Sequence, residues 1–198
     1  MKPTIAGILV AGCLLLPKVG TAADSQGQFG VRGAGLVSCA LYVKAREARS
    51  EVYEVVAGWM DGYITGVNQY ADNTYDVASF ESTELLAAMV NEYCKKHPDT
   101  PVFPVVNSLV KRFLKNRLTS PSHKITIDID NRKVSLYREV VRRLQRQLAA
   151  GGFYDGPING TYGKKVENGM AAFQKSINLK PTGFPDQLTL WRLFNGDQ

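Results

Sequence analysis

Few side chains in this sequence form a recognisable pattern of nucleophiles, proton carriers or metal ligands. His97 precedes a proline and His123 lies in a polar segment, and neither belongs to an HExxH or similar metal motif. A wall hydrolase could use one glutamate with one aspartate, and Glu51, Glu54 and Asp61 share one helical segment. Charges on an exposed helix face explain these three more simply. The sequence therefore predicts no catalytic residue, no metal site and no cofactor.

The first residues have the pattern of an export leader. Lys2 supplies a positive start, Ile5 to Leu16 form an apolar run too short to span a membrane, and small residues precede Asp24. We expect a signal peptide over residues 1–23 and an exported, periplasmic chain. The alternative is a lipoprotein box in "LVAGC", which would acylate Cys13 and anchor the protein to a membrane.

Two further cysteines, Cys39 and Cys94, remain after the leader. In an exported chain such a pair favours a disulfide over two unrelated buried thiols. A bridge that closes a loop of this length would stabilise the fold by about 4 kcal/mol in the chain-entropy model.

The chain carries a formal charge of +6 over 198 residues, with a pI near 9.2. This balance indicates an anionic neighbour such as nucleic acid, a membrane surface or a wall polymer. Export argues against nucleic acid, and a membrane is expected only if Cys13 carries lipid.

Hydrophobic periodicity predicts a mainly α-helical protein with two domains. Residues 24–118 read as a four-helix bundle stapled by the disulfide, with helices over Leu36 to Ala48, after Ser50, from near Ser82, and over Val102 to Leu118. Residues 119–131 read as a linker with a possible short strand in "ITIDID". Residues 132–198 contain three short amphipathic helices.

A glycine-rich stretch, "GGFYDGPINGTYG", joins the first two of these C-terminal helices. It lacks the spacing of a phosphate-binding loop and follows a helix rather than a strand. Its glycines permit tight turns, and its aromatic rings supply hydrophobic surface that glycines lack.

The segment from Val140 to Leu193 resembles the peptidoglycan-binding domain found beside many cell-wall hydrolases. The matching positions, in order, are Leu144 and Gln145, Leu148, Gly152 and Tyr154, Asn159 and Gly160, Tyr162 and Gly163, Phe173 and Gln174, Leu179, Thr182 and Gly183, Asp186, Thr189 and Leu193. Most of the apolar members read as core, and Gln174 as a residue that satisfies backbone groups.

The resemblance implies that polar and aromatic side chains around the loop contact glycan or stem peptide. The candidate peptidoglycan-binding residues are Tyr154, Asp155, Asn159, Tyr162 and Lys165. An aromatic ring can stack on a sugar face, and amides can read hydroxyl and acetamido groups. For each candidate the alternative is a side chain that only closes a turn.

The N-terminal region is similar to small exported helical families with one disulfide, namely Tai-type immunity proteins and HdeA-type acid chaperones. The shared features are the two cysteines, "GYITGV" and "YCKKHP". We expect a non-enzymatic peptidoglycan-binding envelope protein whose N-terminal domain binds a periplasmic protein, in an immunity or chaperone-like role. The alternative is a cell-wall-modifying hydrolase with a targeting domain.

Overall fold

The computed structural model describes residues 23–196. The predicted signal peptide, apart from Ala23, and the possible lipidation site Cys13 lie outside the described residues. The segment up to Gly30 forms a separate unit, in which the Asp24 carboxylate accepts hydrogen bonds from the backbone N–H groups of Gln26 and Gln28. The chain from Val31 onward forms one compact unit.

The first half of this unit is mainly helical, with a 3₁₀ turn over Gly33–Leu36 followed by four α-helices. They are α1 (Cys39–Glu47), α2 (Glu51–Tyr70), α3 (Thr83–Cys94) and α4 (Val102–Phe113). Ser38 and Ser82 cap α1 and α3 by accepting hydrogen bonds from backbone N–H groups three residues ahead. Within residues 23–196, no helix has both the length and the apolar character that crossing a membrane requires.

The predicted Cys39–Cys94 disulfide is confirmed. It joins the start of α1 to the end of α3, with the two Cα atoms 4.7 Å apart. Beside it, the buried Tyr42 ring donates a hydrogen bond through its hydroxyl to the Ala87 carbonyl at 2.8 Å, so its polar end is satisfied inside the core. The bridge and the tyrosine therefore fix α1 against α3.

The linker region holds a β-hairpin. Strand β1 (Lys124–Ile129) pairs antiparallel with β2 (Arg132–Tyr137). Asp130 and Asn131 form the two-residue turn with φ angles of 50° and 61°, the conformation of a type I′ hairpin turn. The second strand is a departure from the sequence prediction, which assigns only helices to residues 132–198.

Three helices follow the hairpin: α5 (Arg138–Ala150), α6 (Lys164–Ser176) and α7 (Gln187–Asn195). Asp186 caps α7 by accepting a hydrogen bond from the Thr189 N–H at 2.8 Å. A second hydrophobic core fills the space between them, and its fully buried members include Val140, Leu144, Leu148, Met170 and Leu190.

The two cores meet at α7. Trp191 packs against both of them, and the Phe80 and Phe194 ring centroids are 4.9 Å apart. The Gln187 side chain donates to the Phe80 carbonyl at 2.9 Å and accepts from the Ser82 N–H at 2.8 Å. These contacts fix the segment before α3 against the C-terminal helices.

Candidate functional site

A buried glutamine on α5 makes hydrogen bonds to the glycine-rich loop between α5 and α6. The Gln145 amide nitrogen donates to Asn159 Oδ1 at 3.1 Å and to the Thr161 carbonyl at 3.0 Å. Its amide oxygen accepts from the Gly160 N–H at 2.8 Å. Gln145 is fully buried, so its amide group depends on these hydrogen bonds in place of hydrogen bonds to water.

A second buried glutamine holds the turn before α7 in the same manner. Gln174 Oε1 accepts from the Gly183 N–H at 2.8 Å, and its Nε2 donates to the Phe184 carbonyl and to Thr189 Oγ1. The prediction that Gln174 satisfies backbone groups is confirmed. Its amide oxygen and nitrogen are therefore occupied by hydrogen bonds inside the fold.

The two glycines at these turns have conformations that other residues rarely adopt. The φ angles of Gly160 and Gly183 are 75° and 67°. A Cβ atom on Gly160 would lie 2.8 Å from the Arg138 carbonyl oxygen, and one on Gly183 would lie 2.8 Å from that of Glu167. The backbone at both turns therefore packs too closely for a side chain.

Two of the five candidate residues use their polar groups to hold the loop against other parts of the fold. The Tyr162 hydroxyl donates to the Gly183 carbonyl at 2.7 Å, and burial raises the pKa of this phenol. Asn159 Oδ1 accepts from Gln145 and also from the Thr161 N–H at 2.9 Å. These side chains connect the loop to the turn before α7 and to α5.

The other three candidates lie on the outside of the loop. Asp155 Oδ1 and Lys165 Nζ are 3.4 Å apart, and the side chains are 91% and 70% exposed. Tyr154 is half-buried, and its hydroxyl donates to the Pro157 carbonyl at 2.9 Å. The structure thus brings together one carboxylate and one ammonium group in contact with solvent.

The arginines of α5 are organised by a carboxylate that the sequence analysis does not single out. Glu139 accepts from Arg142 at 3.2 Å and from Arg146 at 2.7 Å. Burial opposes ionisation of Glu139, but the arginines outweigh it and lower its pKa. Arg143 instead donates to the carbonyls of Asn116 and Arg117.

Two cavities of about 270 Å³ each lie along α5. Residues lining the first include Ser79, Phe80, Val140, Arg143, Arg146 and Phe194. Residues lining the second include Leu118, Ser120, Ser122, Glu139, Arg142 and Arg143. Both combine segments far apart in sequence, so periodicity within a single helix gives no indication of them.

The residues first considered for catalysis are not brought into one site. Glu51 and Glu54 lie exposed on α2, and Asp61 accepts hydrogen bonds from the Thr83 hydroxyl. The His97 ring stacks on Tyr93 with centroids 4.2 Å apart. Within residues 23–196, no group of three or more His, Cys, Asp or Glu side chains is arranged to hold a metal ion.

Comparison with known proteins identifies the C-terminal part of this structure. Residues 137–193, which cover α5, α6, most of α7 and the loops between them, match the family model described as "Putative peptidoglycan binding domain". The predicted resemblance of this region is therefore confirmed. No curated protein and no solved structure matches the chain, and the resemblance of the N-terminal region stays a prediction.

Proposed function

We propose that this chain is an exported, non-enzymatic protein that binds peptidoglycan through residues 132–198 and a protein partner through residues 24–118. The observation that carries the first part is the family match over residues 137–193. The disulfide and the wall-binding domain together support a location in the cell envelope.

The outer face of the glycine-rich loop is the proposed wall contact. Tyr154 offers a ring face to a sugar, while Asp155 and Lys165 offer opposite charges to the amines and carboxylates of a stem peptide. Asn159 and Tyr162 contribute by fixing the loop shape, because their polar groups already have internal partners.

Variants of the exposed pair test this assignment without disturbing the core. Asp155→Ala and Lys165→Ala should weaken co-sedimentation of the full chain with purified peptidoglycan, while the free energy of unfolding changes by less than about 0.5 kcal/mol. Lys175→Ala is the matched control, since Lys175 is an exposed lysine at the far end of α6. Wild-type binding by both loop variants would move the contact elsewhere on the domain.

Export through the leader is part of the proposal, with removal after Ala23 and release into the periplasm. The mass of the protein recovered from cells tests it, because a chain that begins at Asp24 without lipid is expected. Fatty-acid labelling that depends on Cys13 would instead assign a membrane-anchored lipoprotein.

The exposed face of α2 supports a protein partner for the N-terminal half. Gly58, Gly62 and Gly66 recur at helical spacing, and apart from the adjoining residues and backbone of α2 itself, a Cβ atom on any of them would meet no described atom within 4 Å. Packing inside this chain therefore does not account for them, although each glycine costs an exposed helix about 1 kcal/mol. Val55 and Tyr70, on the same helix, are 64% and 75% exposed.

A pull-down from envelope extract, with the full chain as bait, tests the partner. Gly62→Leu should abolish capture of a specific protein if a partner helix approaches α2 closely, whereas Gly163→Ala, at an open position in the other half, should not. Equal capture by wild type and Gly62→Leu would remove α2 from the interface. An immunity protein should capture one specific toxin, whereas a chaperone-like protein should capture many different unfolded chains.

One observation favours the alternative class of a wall hydrolase. Burial raises the pKa of Glu81 to about 7, which is a value suited to a general acid. Zymography on purified wall separates the two classes. A cleared zone that disappears in Glu81→Gln would establish an enzyme. If the wild-type protein binds the wall but clears no zone, the result supports the binding function.

A further inference from the structure

Arg143 occupies a special position on α5 because it lines both cavities described above. Its guanidinium donates to the carbonyls of Asn116 and Arg117, which belong to the segment after α4. The side chain is thereby held in one place by backbone atoms of the other half of the protein. Its other N–H groups make no hydrogen bond within residues 23–196.

No carboxylate forms a close ion pair with Arg143 among residues 23–196, although Glu139 and Glu81 act on its charge from farther away. Within residues 23–196 no carboxylate oxygen lies within 4.0 Å of its guanidinium, whereas its neighbours Arg142 and Arg146 share Glu139. The side chain is partly buried, and this desolvation lowers its pKa. A partly desolvated guanidinium that makes no close ion pair can bind a carboxylate with two parallel hydrogen bonds, and Arg142 and Arg146 beside it add positive charge.

The two cavities on either side of Arg143 differ in chemistry. The first has the rings of Phe80 and Phe194 on its wall, so it suits a small aliphatic group. The second has the hydroxyls of Ser120 and Ser122 and the Glu139 carboxylate, so it suits neutral polar groups such as amides rather than a further carboxylate. Each is slightly below the roughly 300–1,000 Å³ of pockets that take drug-sized ligands, a size that fits one or two amino acids rather than a disaccharide.

We propose that the groove formed by the two cavities binds the carboxylate end of a peptidoglycan stem peptide, with Arg143 on the carboxylate and Phe80 and Phe194 against the terminal alkyl side chain. This inference rests on the proposed wall-binding function and specifies a part of the ligand that it recognises. The site includes residues from both halves of the chain, so it is formed by their contact and lies outside the glycine-rich loop.

A soluble wall fragment tests the proposal directly. The probe is the disaccharide tetrapeptide released from peptidoglycan, compared with the same fragment after amidation of its carboxyl groups and with the disaccharide alone. The full chain should bind the free acid, and amidation or removal of the peptide should weaken binding by about tenfold or more, as expected for a lost charge-assisted pair.

Three variants assign this preference to the groove. Arg143→Lys keeps a positive charge but loses the paired hydrogen bonds, so it should weaken binding of the free acid by about tenfold and leave binding of the amidated fragment unchanged. Arg146→Gln, on the wall of the first cavity, should have a smaller effect in the same direction. Arg138→Gln is the matched control, because Arg138 is an exposed arginine of α5 outside both cavities.

The outcomes separate this inference from the function on which it rests. Equal affinity of the wild type for free and amidated fragments would overturn the inference, and so would wild-type affinity in a folded Arg143→Lys protein. If Arg143→Lys fails to fold by circular dichroism, Arg146→Gln decides, because Lys165 of the glycine-rich loop would also respond to amidation; wild-type affinity of Arg146→Gln for the free acid would then overturn the inference. Intact peptidoglycan that sediments with the full chain would still support the proposed function, whereas no binding to intact wall would contradict that function itself.

Discussion

Gln145 and Gly160 are joined by a 2.8 Å hydrogen bond from the glycine N–H to the buried glutamine oxygen. Gln174 and Gly183 repeat the relationship at the same distance one loop later. In each pair a glutamine on a helix holds a glycine in a positive-φ turn. The two loops of the C-terminal domain are therefore shaped by internal amide contacts.

Replacing Gln145 with leucine should destabilise the protein strongly. The substitution keeps an apolar stem in the core but leaves the Gly160 N–H without its partner, at a cost of about 1–3 kcal/mol for a buried group. Gln147→Leu is the control, because that residue is exposed on the same helix. Urea denaturation should show a lower midpoint for Gln145→Leu alone, and equal midpoints would contradict the buried role.

Two glycines in the same loop should respond differently to alanine. Gly160→Ala places a side chain at a positive φ and close to the Arg138 carbonyl oxygen. Backbone strain alone should lower the free energy of unfolding by about 1–3 kcal/mol, and the close contact should lower it further. Gly163→Ala has a φ of −103° and open space around its Cβ position, so it should cost only about 0.5 kcal/mol, from the poorer N-cap of α6. Thermal unfolding of both variants measures the difference, and a stable Gly160→Ala protein would refute the strained turn.

The helices and the disulfide could be predicted because their determinants are local or few. Apolar residues at helical spacing mark α2 and α4, and with Cys13 assigned to the leader only one cysteine pair remained. The end of α4 was less predictable. The apolar pattern extends to Leu118, but the α-helix ends at Phe113 and a 3₁₀ turn follows over Leu114–Asn116.

The second strand and the cavities along α5 were missed for different reasons. The hairpin had a local pattern, because Asp130 and Asn131 sit between two alternating stretches and such a pair favours a two-residue turn. The cavities had no local pattern, since Phe80 and Phe194 meet across more than a hundred residues of chain. Contacts of that kind follow from tertiary packing, which periodicity within one segment does not encode.

Loss of the disulfide should weaken the N-terminal half. The Cys39–Cys94 bridge spans 55 residues, and removing such a bridge costs about 2–5 kcal/mol. The double variant Cys39→Ala/Cys94→Ala should unfold at a lower temperature than the oxidised wild type and should not respond to reductant. Mass spectrometry without reduction should show the wild type lighter by two hydrogens, and free thiols at both positions would contradict the bridge.

Stability should fall between about pH 4.5 and pH 7 because of Glu81. Burial raises its pKa from 4.5 to about 7, so the folded state holds the proton more tightly than the unfolded chain. The stabilisation is complete below pH 4.5 and is lost as the pH rises through 7. At 1.36 kcal/mol for each pKa unit, the change amounts to about 3 kcal/mol.

Glu81→Gln isolates this effect, since the amide oxygen can still accept from the Phe80 N–H. The free energy of unfolding of wild type and variant, measured by urea denaturation at several pH values, should diverge as the pH rises, with the variant more stable above pH 7. A constant difference from pH 5 to pH 8 would show that Glu81 keeps an ordinary pKa in the folded protein.

The most direct test of the central claim is co-sedimentation of the full chain with purified peptidoglycan at several salt concentrations. Binding to the wall predicts that the chain pellets with peptidoglycan at low salt, that soluble muropeptides displace it, and that Gly160→Val, with the turn disrupted, stays in the supernatant. Salt should weaken binding in proportion to the contribution of the exposed charges, which are screened over about 10 Å at 0.1 M. A folded wild-type chain that stays in the supernatant at low salt with several wall preparations would contradict the proposed function.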